Sequence, residues 1–274
     1  MKPVLDVQDV CVQYKNKKVL KDISFAVHPG EFVAVIGPNG CGKTTLIKTI
    51  LRTIMPAKGQ IHIMGRALES LTSRELAGFV AVVLQTIHPA AMTVRDYVLL
   101  GRLPFFKKYQ FFETRQDVAV AEKYMHLTGV AALADARVNE ISGGELQLAS
   151  IARALTQEPC LLILDEPTSH LDITHQARIL ELINTLKKEL SLTILMVLHD
   201  LNLAAEYSDR LVLLDKHTGQ VFKTGRPEAV LTQETIQAVY HTRVKIQPNP
   251  MSKKPWIFLV SQDATKSSNK GNVS

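Results

Sequence analysis

Cysteine is scarce in this sequence, and its spacing argues against two kinds of covalent framework. The 274 residues include three cysteines, Cys11, Cys41 and Cys160, which are odd in number and far apart. A disulfide scaffold or a cysteine zinc site requires several thiols at short, regular spacings. We therefore expect three reduced thiols, a state that a reducing compartment maintains.

The chain also lacks a hydrophobic run long enough to cross a bilayer. Its longest apolar runs, AGFVAVVL (77–84) and LTILMVL (192–198), are far shorter than the ~20 residues that a spanning helix needs. The start, MKPVLDVQDV, carries acidic residues and alternates like a strand, which is not the pattern of a secretory signal. We expect the chain to stay in the cytosol and not to cross a membrane by itself.

Charge of one sign is not concentrated anywhere. The sequence has 32 Lys+Arg and 26 Asp+Glu, a formal charge of +6, and the basic residues are scattered. Nucleic-acid binding favours clustered basic residues, so a solvated surface is the better interpretation and we predict no nucleic-acid partner. Hydrophobic residues make up 46% and charged residues 21%, which is the balance of an ordinary folded protein.

Short apolar runs alternate with helical patterns through most of the chain. This alternation predicts an α/β fold with a largely parallel sheet. The opening differs, because VLDVQDVCVQY (4–14), KVLKDISFAV (18–27) and GQIHIMG (59–65) are strand-like without helices between them. We expect them to form an antiparallel β subdomain beside the main sheet.

The rest of the chain divides into recognisable segments. Residues 86 to about 157 are mainly helical in pattern, which predicts a helical subdomain inserted into the sheet domain. We expect one domain over residues 1–262 and a disordered tail over 263–274, where small polar residues dominate. Later elements are predicted as a helix over 173–190, a hairpin over 209–225 and a single helix over 226–240.

The most informative stretch is GPNGCGKTT, which follows the strand FVAVIG (32–37) and precedes the helix TTLIKTILRTI (44–54). It matches G-x-x-x-x-G-K-[ST], the loop whose amides bind the phosphates of a nucleoside triphosphate. Lys43 would reach the β- and γ-phosphates, and the Thr44 hydroxyl would bind Mg²⁺. The predicted phosphate-binding residues are Gly37, Pro38, Asn39, Gly40, Cys41, Gly42, Lys43, Thr44 and Thr45. We also expect alkylation of Cys41 to block nucleotide binding, and prior ATP to protect it.

Two carboxylates follow a fully apolar strand in CLLILDEP (160–167). Ligands of open α/β sheets bind at the carboxyl ends of strands, where Asp165 and Glu166 are predicted to lie. Asp165 can hold Mg²⁺, and Glu166 can act as the general base toward the attacking water. The alternative is an acidic cap on a strand end, without a chemical role.

A second turn rich in free amides lies in ISGGEL (141–146). Ser142 is predicted as the N-cap of a helix, which leaves the amides of Gly143 and Gly144 free to bind an anion. Taken by itself, this pattern favours an ordinary capped helix. Its combination with the phosphate loop favours a second phosphate-binding turn.

The motifs GPNGCGKTT, Gln85, ISGGEL, LLILDEP, SHLD and His199 occur in the order found in ATP-binding-cassette (ABC) transporters. Over about residues 3 to 245 the chain resembles the nucleotide-binding subunit of that superfamily. The resemblance implies an active ATPase with a phosphate-loop NTPase core, using ATP and Mg²⁺. It also implies that two cassettes pair head to tail, so that the serine-glycine turn of one closes on the γ-phosphate held by the other.

The resemblance assigns further roles, position by position. Tyr14 matches the aromatic residue that stacks on adenine, and Gln85 matches the glutamine that binds Mg²⁺ and senses the attacking water. His199 matches the histidine that contacts the γ-phosphate. Asp172 matches the aspartate of the loop that crosses the dimer interface, and Glu145 completes the ISGGEL signature.

Within the superfamily, TSHLDITHQ, VRDYVLLGRLPF, HDLNLAAEYSDRLVLL and GRPEAVLT look most like ATPases of metal-chelate importers. This resemblance implies a cargo such as a ferric siderophore, haem or cobalamin. The implied partners are a second copy of the chain, two transmembrane permease subunits and, indirectly, a substrate-binding protein. It places the subunit at the cytoplasmic face of the membrane, with TIHPAAMTVRDY (86–97) lining the groove for a permease helix.

Three alternatives remain open at this point. A soluble cassette protein acting on ribosomes or DNA usually has two cassettes or a long coiled coil, and this chain has one cassette and no sustained heptads. A small-molecule kinase shares the phosphate loop, but ISGGEL and SHLD argue against it. An importer for another substrate, or an exporter subunit, is also possible, although exporters commonly fuse the cassette to membrane helices.

Overall fold

The structure is a computed structural model that describes residues 2–14, 17–85, 91–169 and 171–260. The predicted disordered tail, residues 263–274, lies outside the described residues. The strands, labelled β1 to β12, are Leu5–Tyr14, Lys17–Val27, Phe32–Ile36, Lys58–Ile63, Arg66–Ala67, Val80–Val83, Leu161–Asp165, Thr193–Val197, Arg210–Leu214, Val221–Gly225, Val244–Pro248 and Pro255–Leu259. The helices, labelled α1 to α9, are Lys43–Ile50, Ser73–Phe79, Val94–Leu99, Arg115–Thr128, Gly143–Thr156, Ile173–Leu190, Leu201–Tyr207, Pro227–Val230 and Gln233–Tyr240.

A mixed sheet of six strands forms the centre, in the order β10-β9-β3-β8-β7-β6. All neighbouring pairs are parallel except β9 with β10, which form the predicted antiparallel hairpin. Strands β3, β7 and β8 are buried along their whole length, which explains their unbroken apolar sequences. Because β3, β7, β8 and β9 run in the same direction, the segments that follow them meet at one edge of the sheet.

The antiparallel layer predicted for the opening is present as a four-stranded sheet in the order β2-β1-β4-β5. Its buried face packs with one face of the central sheet in a shared core that includes Val7, Ile23, Val35 and Ile163. The opposite face of the central sheet packs on helices in a second core. The β3 strand contributes to both cores, which fixes the phosphate loop at its carboxyl end.

Helices α3, α4 and α5 lie between β6 and β7 in the chain. Their mutual packing buries Tyr97, Met125 and Leu148, and the Tyr97 hydroxyl lies 2.9 Å from the Ser150 hydroxyl. This part of the chain carries the ISGGEL turn, since α5 begins at Gly143. The segment therefore forms a helical layer whose position is set by contacts with β6 and with the α2 region.

Two predicted helices differ from the structure. The segment 226–240 is not one helix, because α8 ends at Val230 and Thr232 starts α9 as a new N-cap that accepts a hydrogen bond from the Thr235 amide. Helix α1 ends at Ile50 instead of 54, and the left-handed conformation of Arg52 (φ 57°) turns the chain away. Sequence analysis did not identify α2, α7 or the β11-β12 hairpin.

Candidate functional site

The phosphate loop joins the carboxyl end of β3 to the amino end of α1. Gly37 has φ +150°, and a Cβ atom at this position would lie 2.6 Å from the Leu214 carbonyl oxygen and 2.7 Å from the Cys41 sulfur. Only glycine fits both the backbone conformation and the space. The tight turn leaves the first amides of α1 pointing out of the protein, where they can bind an anion.

Lys43 lies across the loop that it follows. Its ammonium group donates hydrogen bonds to the carbonyl oxygens of Gly37, at 2.7 Å, and Pro38, at 3.4 Å, and the residue is only 6% exposed. Among the described residues, this ammonium donates its hydrogen bonds to neutral carbonyl oxygens, which leave its positive charge available to an anion. It is therefore positioned to attract a phosphate group at the mouth of the loop.

Seven of the fifteen predicted nucleotide-binding residues, together with Gln85, Glu166 and His199, line one open cavity of about 510 Å³. The cavity joins the loop after β3 to residues that follow β6, β7 and β8, as the shared carboxyl edge predicts. Tyr14, at the end of β1, is 44% exposed and borders the cavity. The lining residues are Tyr14, Val19, Asn39, Gly40, Gly42, Lys43, Thr44, Thr45, Gln85, Glu166 and His199.

Glu166 is held at both carboxylate oxygens. Gln85 donates from Nε2 to Oε2 at 2.7 Å, and His199 Nε2 contacts Oε1. The residue has φ 52°, a left-handed conformation that is uncommon for a residue with a side chain. Backbone strain of this kind is concentrated at functional sites, where the surrounding structure maintains it. Glu166 is thus a fixed acceptor at the wall of the cavity.

Asp165 is almost fully buried beside Glu166. The residue is 4% exposed, and its Oδ1 atom has no hydrogen-bond partner among the described residues. Burial, and then the negative charge of Glu166, raise the pKa of the Asp165 carboxyl, although the positive charge of Lys43 opposes them. An unpaired buried carboxylate oxygen is costly unless a cation or donor occupies the site. Carboxylate and hydroxyl oxygens are ligands that Mg²⁺ accepts, so this buried oxygen and the hydroxyl of Thr44, which lines the cavity, are candidate ligands for that ion.

The ISGGEL turn is closed by a reciprocal capping box. The Ser142 hydroxyl donates to Glu145 Oε2 at 2.7 Å and accepts from the Glu145 amide at 3.3 Å. The hydrogen bonds from the hydroxyl and amide of Ser142 hold the pKa of the Glu145 carboxyl below its ordinary value. The box satisfies the amides of Ser142 and Glu145, while those of Gly143 and Gly144 begin the helix.

A histidine that sequence analysis did not identify joins this turn to the SHLD loop. Asp172 is the N-cap of α6 and accepts from the backbone amide of His175 at 2.8 Å, and its Oδ1 also lies 2.9 Å from Nδ1 of the same residue. A Cβ atom on Gly144 would lie 2.3 Å from the His175 ring. Gly144 is therefore required for close packing, and a link runs from Asp172 through His175 to the ISGGEL turn.

The structure thus groups the predicted site residues in two places. The phosphate loop, Gln85, Glu166 and His199 surround the cavity, with Asp165 behind Glu166. The ISGGEL turn and Asp172 belong to the second group, and neither contributes to the lining of the cavity in the described part of the chain. Each group includes the start of a helix, where free amides can bind an anion.

The expected chemistry of Cys41 needs correction. Its side chain is 2% exposed and packs into the core under the antiparallel layer, where burial raises the pKa of the thiol. Alkylation therefore requires opening of that core, which makes the thiol far less reactive than the sequence suggests, while the effect of the modification on nucleotide binding stays a prediction. The Cys41 amide donates to the Pro38 carbonyl at 3.2 Å, so the residue serves the turn through its backbone.

Sequence analysis also missed two residues next to the phosphate loop. Lys216 follows β9, and its Cε atom lies 3.8 Å from the Cβ position of Gly40. Tyr240 receives a backbone hydrogen bond from Gly37, while burial raises the pKa of its hydroxyl. The position of Lys216 after an apolar strand was an available signal, because β9 neighbours β3 at the same sheet edge. No local pattern marks Tyr240.

Comparison with known proteins is consistent with this geometry. The family model described as ABC transporter matches residues 20–169. The ferric enterobactin transport ATP-binding protein FepC of Escherichia coli is 35% identical over 263 residues, which are 96% of each chain.

Two solved structures extend the comparison. One is described as a metal-chelate type ABC transporter in an inward-facing conformation. It superposes on this chain with a TM-score of 0.82 and 27% sequence identity, and the alignment covers 96% of this chain and 100% of the chain of the transporter structure. The other is the ATP-binding cassette MJ0796 in a dimeric post-hydrolysis state with ADP and Pi, with a TM-score of 0.70 and 26% identity over 81% of this chain and 98% of its own.

Proposed function

Because this chain belongs to the ABC transporter family, we propose that it powers the uptake of a metal chelate through separate transmembrane subunits. The chain is an ABC-type ATPase. The cargo class, an iron-siderophore, haem or cobalamin, is inferred from the likeness to FepC and to a metal-chelate type transporter. The observation that carries the catalytic part of the proposal is the clamp on Glu166 by Gln85 and His199 at the cavity wall.

The cavity residues supply what hydrolysis of ATP needs. The amides of the loop and the ammonium of Lys43 bind the β- and γ-phosphates, and Tyr14 offers a face for adenine. The carboxylate of Glu166 accepts the proton of the attacking water. Mg²⁺ would be held by Thr44, Gln85 and Asp165, and when bound it neutralises charge on the transferred phosphoryl group.

The site is completed by a second copy of the chain. The Ser142-Gly143-Gly144 turn and Asp172 do not line the chain's own cavity, yet they carry the amides and the charge that a γ-phosphate would meet. A head-to-tail dimer brings the turn of one copy to the phosphate loop of the other, and MJ0796 forms a dimer in its post-hydrolysis state. Hydrolysis would then require closure of the dimer, which couples it to movement.

A groove between α2 and the α5 region is the proposed docking site for a permease. It measures about 550 Å³ and has Arg52 and Arg153 among apolar residues. Residues 86–90 of the segment predicted to line such a groove lie outside the described residues, and of the remainder, Val94 and Tyr97 are buried in the core. The groove residues are Leu51, Arg52, Ser73, Leu76, Ala77, Val80, Val82, Leu100, Gly101, Arg153, Ala154 and Gln157.

An aromatic loop, residues 103–113, continues this surface. Arg74 donates to the Pro104 carbonyl at 2.6 Å and holds the loop next to the groove. Tyr109, Phe111 and Phe112 are 78%, 80% and 81% exposed, an exposure that a soluble surface rarely leaves uncovered for neighbouring aromatic side chains. The loop and the groove together form one candidate interface for a permease subunit. This interface would attach the chain to permease subunits at the cytoplasmic face of the membrane. Among the described residues, no helix has the length and apolarity to span a bilayer.

The activity is tested with the purified chain and then with its transporter. We expect the chain to release phosphate from Mg·ATP without phosphorylating an acceptor; transfer to a small molecule would instead indicate a kinase. The permease pair for co-expression in membranes would be sought among the genes that neighbour the coding sequence. A chelate-loaded binding protein should stimulate ATP hydrolysis by that complex in vesicles. Hydrolysis that no metal chelate stimulates, but another solute does, would contradict the cargo class alone.

The interface is tested by exchanging its aromatic residues. A Phe111→Ser, Phe112→Ser variant should lose co-purification with the permease pair while keeping ATPase activity as a free subunit. Phe222→Ser is the matched control, because Phe222 is exposed (46%) on β10 and lies outside the groove and the loop. Equal recovery of the complex with both variants would remove the aromatic loop from the interface.

A further inference from the structure

A cavity of about 280 Å³ lies in the antiparallel layer, and its lining comes from β1, β2 and the start of β4. Lys18, Lys21 and Lys58 line it and are exposed, so we call it the lysine cavity. Asp22 is the acidic residue of the lining, and three lysines with one aspartate give a formal charge of +2. The lysine cavity shares no lining residue with the nucleotide cavity.

We propose that the lysine cavity binds a small phosphomonoester such as glycerol phosphate. Lysine ammonium groups bind phosphate oxygens through charge-assisted hydrogen bonds, and a cavity lined mainly by one sign of charge attracts ions of the other sign. The volume is about nine times the ~30 Å³ that one water molecule takes up in the liquid, which suits a ligand of about ten non-hydrogen atoms. The same chemical group occurs in free metabolites and in the headgroup of an anionic lipid.

The three ammonium groups are available to a ligand. In the part of the chain that the structure describes, none of them has a hydrogen-bond or ion-pair partner. The Asp22 carboxylate contacts Cys11 instead, because its Oδ1 accepts from the thiol at 3.3 Å and the Asp22 amide donates to the same sulfur at 3.3 Å. Unpaired cations in one cavity repel one another, and a bound dianion would relieve this repulsion.

The backbone around Lys58 is held firmly. The pairing of β1 with β4 is irregular between Gln8 and Cys11, and such bulges redirect side chains. Gly59 has φ +85°, and a Cβ atom there would lie 2.4 Å from the Gln8 carbonyl oxygen, so β4 packs tightly on β1 directly after Lys58. On the other side of Lys58, the Ala57 amide donates to the Cys11 carbonyl at 2.8 Å. A ligand that binds such a framework orders little backbone.

The phosphomonoester would bind beside the nucleotide without competing with it. Gln13 and Lys18 line the lysine cavity, while the next residue of each strand, Tyr14 or Val19, lines the nucleotide cavity. Consecutive residues of a strand point to opposite faces, so the end of the β1-β2 ladder separates the two cavities. Both cavities can therefore be occupied in one chain.

The test is calorimetric titration of the full-length protein with glycerol phosphate, while saturating Mg·ADP fills the nucleotide site. We expect one binding event per chain. Lys21→Gln and Lys58→Gln should each weaken it about tenfold, because each removes one charge-assisted hydrogen bond. Lys245→Gln is the matched control, since Lys245 is an exposed lysine on β11 that does not line the cavity. It should bind the probe as the unaltered chain does.

Absence of a binding event, unchanged affinity in both cavity variants, or an equal loss in Lys245→Gln would overturn the proposal. Succinate, a dianion without phosphorus, should bind more weakly than glycerol phosphate, and tighter binding of succinate would overturn the ligand class. Flotation with phosphatidylcholine vesicles separates the two sources of the group. Flotation that requires added phosphatidic acid and is lost in Lys58→Gln would assign the cavity to a lipid headgroup. Binding of glycerol phosphate without such flotation would assign it to a free metabolite.

Discussion

The geometry around Glu166 separates its chemical role from its structural role. Its two carboxylate oxygens contact Gln85 and His199, and its left-handed backbone turns the chain from β7 toward the SHLD loop. An amide side chain can keep these contacts but cannot accept the proton of water. Substitution by glutamine therefore isolates the proton transfer.

Glu166→Gln is expected to lower the rate of ATP hydrolysis by about 10²–10⁴-fold, the range that a general base contributes. Binding of Mg·ATP should remain, because the phosphate loop is unchanged. Phosphate release and fluorescent nucleotide binding measure the two effects. Hydrolysis at the rate of the unaltered chain would rule out Glu166 as the base.

Burial of the Asp165 carboxyl, a proposed Mg²⁺ ligand, lowers the stability of the folded protein when the carboxyl is ionised. Its folded-state pKa is raised, chiefly by burial, so the folded protein holds the proton more tightly than the unfolded chain does. Asp165 therefore makes its full contribution to the free energy of unfolding below about pH 3.9, where the carboxyl is protonated in both states. This contribution is lost as pH rises through the folded-state pKa. Above that window the ionised, unpaired carboxylate lowers stability.

Asp165→Asn should therefore stabilise the nucleotide-free protein near neutral pH and weaken its affinity for Mg²⁺ with ATP by roughly 10–100-fold. The gain in unfolding free energy over the unaltered chain should grow with pH through the same window and then level off. Denaturant unfolding at several pH values and Mg²⁺ titrations measure both. A variant that is less stable at pH 7 would contradict the account of the buried oxygen.

At the scale of elements, two helices begin with the same capping box but face different surroundings. Ser142 and Glu145 close the start of α5, and Thr72 and Glu75 close the start of α2. The hydrogen bonds of both boxes lie at exposed positions. The pair allows the helix-capping role of Ser142 to be separated from its proposed contact with a phosphate.

Ser142→Ala and Thr72→Ala should each lower the free energy of unfolding by about 1 kcal/mol, the usual value of an N-cap. Only Ser142→Ala should also slow ATP hydrolysis, by roughly 10²-fold, because in the closed dimer the Ser142 hydroxyl would turn from Glu145 to donate to the phosphate. Thermal unfolding and phosphate release measure the two quantities. Equal hydrolysis by both variants would leave the ISGGEL turn with a capping role alone.

At the scale of the whole molecule, we propose that the cavity of one copy and the ISGGEL turn of another form two halves of one site. Within one copy, the phosphate loop lies at the edge of the sheet, and the ISGGEL turn lies in the helical layer and does not line the cavity. A monomer that keeps this fold cannot bring its own turn to its own phosphate loop. In the proposed dimer, nucleotide would link the two copies, and hydrolysis would release that link.

The Glu166→Gln variant should form a dimer in Mg·ATP and return to a monomer when nucleotide is removed. Adding Ser142→Arg should abolish the dimer, because the long side chain fills the space of the phosphate, while ATP still binds to each monomer. Adding Thr72→Arg should leave the dimer intact. Light scattering after size exclusion measures the mass; a dimer that persists with Ser142→Arg would place the interface elsewhere.

The sequence predicted the parts of the site that local chemistry controls. The phosphate loop needs Gly37 for its turn, and Asp165 and Glu166 end an apolar strand, so each is recognisable from its neighbours in sequence. The helix over 226–240 was predicted as one piece, because its apolar pattern continues through Thr232, where the capping preference of threonine overrides it. The burial of Cys41 was not predicted, since a cysteine in a loop motif has no local signal for the direction of its side chain.

By itself, the sequence determined the α/β class, the phosphate loop, the carboxylates at the strand end and the serine-glycine turn. These features depend on backbone conformation and residue type within a few positions. Only the tertiary structure decided that His175 packs on Gly144, that Lys216 approaches Gly40 and that His217 meets His241. Such contacts join residues far apart in the chain, and their geometry follows from the order and direction of strands and the packing of helices, which no local pattern specifies.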